Sequence, residues 1–132
     1  MTRFPNFLIW VIVMSEIVDE IVNILRKYRY IVENVIEKPD MIIIDFRHRS
    51  TRGDPYTTSS LVYYKNKGKI EVTVRRKIDK HIELYLDYAC EDGEPACRPH
   101  AYLVDGEPYI AVECKFHKNP IERLKRALED MM

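Results

Sequence analysis

Arg98-Pro99-His100-Ala101-Tyr102-Leu103-Val104-Asp105-Gly106-Glu107-Pro108-Tyr109-Ile110-Ala111-Val112-Glu113-Cys114-Lys115 reads as a strand, a tight turn and a second strand that ends in Glu-x-Lys. Side chains alternate along a strand, so Glu113 and Lys115 share one face and Val112 and Cys114 take the other. With Asp105-Gly106-Glu107-Pro108 as a four-residue turn, Val104 faces Tyr109 and His100 faces Glu113. Directly opposed residues lie about 5 Å apart at Cβ. The hairpin therefore gathers an imidazole, a carboxylate and an amine at one place.

Working outward, Asn119-Pro120-Ile121-Glu122 reads as a helix start, with Asn at the cap, Pro at the first helical position and Glu at the third. Ile121, Leu124, Leu128 and Met131 supply its apolar stripe. Upstream, Leu61–Tyr64 and Ile70–Val74 flank Lys65-Asn66-Lys67-Gly68-Lys69, a hairpin pattern. His81–Tyr88 alternates polar and apolar residues, which predicts a third, half-buried strand completing a meander. Met41–Arg47 begins with a continuous apolar run and predicts a buried strand. Ser15 is placed to cap a helix running towards Lys38, with apolar residues from Ile17 to Ile36 at helical spacing and Pro39 just beyond its end. Residues 1–13 read as an edge strand, or as an extension ahead of a start at Met14. The apolar run Phe7–Met14 is too short to span a bilayer as a helix.

This order predicts an α+β fold: one domain over residues 1–132, with a central, mostly antiparallel or mixed β-sheet and an N-terminal and a C-terminal helix packed on it. Its 132 residues suffice for one core, and 46% of them are apolar. Lys+Arg and Asp+Glu each total 21, so overall charge gives no pull towards nucleic acid and only a local basic patch can act. Gln is absent while Ile, Val, Tyr, Glu, Lys and Arg are plentiful. That balance matches a hyperthermophilic, archaeal source and a cytoplasmic protein. The three cysteines read as buried or partly buried thiols; the alternative is a disulfide between Cys90 and Cys97, which flank a short turn, leaving Cys114 free.

The hairpin resembles the PD-(D/E)xK nuclease superfamily, the restriction-endonuclease-like and archaeal Holliday-junction-resolvase-like enzymes. The match is carried by Pro99-His100 and Glu113-Cys114-Lys115 and confined to residues 98–118. The resemblance implies a metal-dependent endonuclease acting on DNA with Mg²⁺ or Mn²⁺. Glu113 and His100 would be metal ligands, Lys115 would orient water or phosphate, and Glu20 on the upstream helix and His117 would be accessories. One departure stands out: the family's Asp is His100 here, and imidazole is a poor ligand for Mg²⁺.

Two other patterns compete. Cys97-x-x-His100 and Cys114-x-x-His117 together offer two Cys and two His, as zinc sites do. A spacing of three along a strand sends Cys and His to opposite faces, which counts against zinc. Arg47, Arg49 and Arg52 form the densest basic loop and are the candidate phosphate contacts, though a solvated, ion-paired surface also accounts for them. The alternative to a nuclease is a non-enzymatic domain that dimerises or binds a partner through a sheet edge.

Overall fold

The structure, a computed structural model, describes residues 4–78, 90–91 and 94–131, with side chains described over 16–78 and 96–131. Helix α1 (Phe4–Lys27) leads into β1 (Tyr30–Glu37) and β2 (Met41–His48). Two 3-10 turns, Arg49–Thr51 and Pro55–Thr57, precede the hairpin of β3 (Ser59–Tyr64) and β4 (Lys69–Lys77). A minimal pair, β5 (Cys90–Glu91) with β6 (Glu94–Pro95), precedes β7 (Cys97–Val104), β8 (Glu107–Phe116) and α2 (Pro120–Asp130). The larger sheet has six strands in the order β1-β2-β3-β4-β8-β7, and every neighbouring pair is antiparallel. The α+β architecture read from the sequence is the one observed. The strand expected over His81–Tyr88 lies outside the described residues.

Both helices cover one face of the sheet. Ile42, Ile44, Phe46, Leu61, Ile70, Val72, Val74, Val112, Cys114 and Phe116 share that face by register and are buried. They form one cluster with Ile21, Ile24 and Leu25 of α1 and Leu124, Ala127 and Leu128 of α2. The opposite face, with Asp45, Ser60, Thr73 and Glu113 in one cross-strand row, has no helix over it among the described residues.

The N-terminal third departs from expectation. Residues 4–13 belong to α1 and are not an edge strand, and Ser15 lies inside that helix instead of capping it. No Gly or Pro separates the apolar run from Ser15, so nothing stops one helix from continuing through both. The helix ends at Lys27, well short of Lys38. Arg29 takes a left-handed φ of 71°, which breaks the helical path. The next residues, Tyr30-Ile31-Val32-Glu33-Asn34-Val35-Ile36, are rich in β-branched side chains and extend as a strand. Pro39 therefore sits in a hairpin turn closed by Lys38 N–H donating to Met41 O at 2.8 Å. Asn119 precedes α2 as expected, but with φ 48° and no side-chain cap bond. Pro120 disfavours the right-handed helical region for the residue before it, and Asn tolerates the left-handed one.

Candidate functional site

The β7–β8 turn has two residues, not four. Asp105 (φ 50°) and Gly106 (φ 79°) form it, and Val104 pairs with Glu107. Asp-Gly with two positive φ values is the favoured hairpin connection because its twist matches that of the strands. His100 is consequently opposite Ala111, and Arg98 is opposite Glu113. The register moved by two, and a shift of two keeps every side chain on its face. His100 and Glu113 still meet, as diagonal neighbours: Nε2 lies 3.5 Å from Oε2, with the two side chains 58% and 55% exposed. Lys115 follows on the same face, opposite Glu71 of β4. The Glu71 carboxyl is held below the usual carboxylate range by Lys69 at 2.8 Å, against the cost of its burial, with help from the Tyr64 hydroxyl and the Lys115 charge.

The open face thus carries Arg98, His100, Glu113 and Lys115 around one point. Arg98 and Glu71 were missed by the sequence reading. Reading Asp105-Gly106 as a two-residue turn would have put Arg98 beside Glu113. Glu71 comes from a strand whose partner is more than forty residues away, a pairing without a local signal. Next along β7, Tyr102 stacks on Tyr109 at 5.5 Å. The loop after β2 closes that end of the face: the Tyr109 hydroxyl donates to Asp54, the Tyr102 hydroxyl to Tyr56 O, and Arg75 to Thr58 O. These tyrosines pack the loop onto the sheet.

The remaining candidates fall elsewhere. Glu20 is exposed on α1, which packs on the sheet face opposite the one that carries Glu113. His117 lies one residue past the end of β8 and is exposed. Cys97 is bonded to Cys114, its directly opposed partner across β7–β8. This bond overturns the reading of three thiols and excludes the alternative Cys90–Cys97 bridge, and both sulfurs of the zinc pattern are consumed. Among the described residues no three His, Cys, Asp or Glu side chains converge as metal ligands. Asp45, the other carboxylate in the Glu113 row, is three strand spacings away, roughly 14 Å. One imidazole and one carboxylate do not fit Mg²⁺ or Mn²⁺, which favour shells of oxygen ligands.

The basic loop divides. Arg47 lies on the open face, where it is 3.3 Å from Glu33 and donates to Thr58 Oγ1 at 2.6 Å. Glu33 is the extra residue of a bulge in β1, between Val32 and Asn34. Arg49 and Arg52 are exposed at the sheet corner where α1 ends. His48 marks that corner. Its Nδ1 accepts from Ser50 N–H at 3.2 Å, and its ring meets Tyr30 edge-on. Burial, then the charges of Arg76 and Arg29, push its pKa down to about 4.

This shift gives a pH prediction. The His48 ring is neutral in the fold but protonates below about pH 6.5 in the unfolded chain. The unfolded state then binds the extra proton, so stability is lost as pH falls from about 6.5 to about 4. The expected loss is about 1–2 kcal/mol, allowing for solvent screening of a half-buried ring. Denaturant unfolding at pH 7.5 and 4.5 measures it. If His48→Gln shows the same pH slope as the wild type, His48 is not the group responsible.

Comparisons of the chain with protein-family models, curated proteins and solved structures return no match.

Proposed function

We propose that this is a cytoplasmic, nuclease-like protein that binds DNA through the open face of its sheet, with metal-dependent hydrolysis weakened by His100 standing where the superfamily has Asp. The observation that carries this reading is the His100–Glu113 contact at 3.5 Å, with Arg98 and Lys115 beside it on the exposed face. Two cations flanking an exposed pair offer phosphate contacts. The buried disulfide accords with a hyperthermophilic cytoplasm, where such bonds persist.

The test is binding of a fluorescent DNA duplex and a branched junction across a salt series. Binding at low salt is expected, in the roughly 10⁻⁴–10⁻⁶ M range of non-specific complexes, with Arg98→Ala and Lys115→Ala each reducing the salt slope by about one. Plasmid DNA incubated with Mg²⁺ or Mn²⁺ should be cut little by the wild type, and His100→Asp should gain Mg²⁺-dependent cleavage. A protein that ignores DNA at low salt ends the proposal. Vigorous wild-type cleavage abolished by Glu113→Ala removes the claim of a weakened site; cleavage that survives Glu113→Ala removes the site itself.

A second reading, a non-enzymatic domain that forms a homodimer, draws on the open edge strand β1, where Val35 and Ile36 are each 41% exposed. Sedimentation of the same samples separates the two, since a monomer that binds DNA leaves nothing for the dimer reading to explain.

A further inference from the structure

At the corner between α1 and β1, a cleft of about 510 Å³ is lined by Arg26, Tyr30, Ile31, Val32, Arg49 and Arg52. Three guanidinium groups from two segments distant in sequence face one space. Arg26 comes from the last turn of α1, and Arg49 and Arg52 from the turn after β2. Among the described residues none of the three is paired with a carboxylate. The nearest acid along β1, Glu33, is engaged with Arg47. Arg49 N–H donates to Arg29 O at 2.9 Å, which ties the turn to the end of the helix. Like charges that converge without a counter-charge repel one another, and an anion placed between them removes that cost. Ile31 and Val32 add an apolar wall, as ligand clefts of this size commonly have.

We propose that this cleft binds a phosphate monoester. Guanidinium forks pair with its oxygens bidentately, which a phosphodiester, with one charge and fewer free oxygens, satisfies less well. The chemistry is shared by the 5′-phosphate end of a nucleic-acid strand and by a free nucleotide. The site is independent of the open-face reading: β1 and β7 are opposite edges of the sheet, five strand spacings or roughly 24 Å apart.

The test compares a short fluorescent oligonucleotide bearing a 5′-phosphate with its 5′-hydroxyl twin, and titrates AMP and inorganic phosphate separately. A gain of about tenfold from the 5′-phosphate, lost in Arg26→Ala and in Arg52→Ala, identifies a strand end as the ligand. AMP binding lost in the same variants, without an oligonucleotide gain, identifies a free nucleotide. All three arginines are exposed, so the variants should fold, and their unfolding midpoints confirm it. The proposal is overturned if neither the 5′-phosphate nor AMP binds better than its phosphate-free counterpart, or if the two variants bind as the wild type does. The AMP arm needs no contact with the open face, so it can succeed where the DNA-binding proposal fails, and the reverse.

Discussion

Phe46→Ala lowers stability by about 3–5 kcal/mol, the usual range for emptying a large aromatic site in a core. Phe46 is fully buried on the helix face of β2 and meets the Tyr30 ring edge-on at 5.3 Å. It therefore joins the central strands to β1, the edge strand that α1 leads into. Removing the ring leaves a cavity between a sheet and a helix, neither of which can close on it without breaking ladder bonds or the packing of Ile21 and Leu25. Tyr30, whose hydroxyl pKa burial pushes up to about 12, loses its packing partner as well. Phe46→Leu retains most of the volume and should cost less than about 1.5 kcal/mol. Urea unfolding of both variants measures this. A Phe46→Ala loss under 1 kcal/mol would show that β1 and β2 are not held together through this contact.

The second large effect is loss of the Cys97–Cys114 bridge. It closes a loop with a sequence separation of 17, for which the chain-entropy relation gives about 3 kcal/mol. For a chain of this size that corresponds to a fall of roughly 10–15 °C in Tm. The cysteines are 7% and 1% exposed, so a reductant acts only after the β7–β8 edge opens. Dithiothreitol should leave the native protein oxidised for a long time yet reduce it readily in denaturant, while Cys97→Ala with Cys114→Ala shows the whole loss at once. The bridge lies one residue from the Arg98–Glu113 pair, so the double variant should also weaken the proposed DNA binding through the loosened hairpin. A double variant with unchanged Tm would mean that the ladder alone holds β7 in place.

Much of the fold was legible because its signals are local. The Lys65–Lys69 hairpin, the start of α2 at Pro120 and the alternation along β8 each follow from a few adjacent residues. Local pattern and structure part where two periodicities overlap. Tyr30–Glu37 places apolar residues at spacings that suit a helix, yet it is rich in β-branched residues and stands open beside β2. Pairing with β2 decided for the strand, a tertiary override of a local pattern. The candidate site was legible to the same depth. That His100, Glu113 and Lys115 share a face follows from strand parity, and parity survived a misjudged turn. Which cross-strand neighbour each one has did not follow, because that depends on the turn and on β4.

By itself the sequence determined the class of the fold, the polar and apolar faces of its strands, and the grouping of His100, Glu113 and Lys115. These depend on periodicity, on turn chemistry and on the alternation of side chains, all written within short segments. Only the tertiary structure decided that β8 pairs with β4, that Cys114 and not Cys90 is the partner of Cys97, and that Arg26 joins Arg49 and Arg52 across a cleft. Each of these brings together residues at least seventeen positions apart. The free energy of such contacts comes from burial and register across the whole sheet, which no single segment encodes.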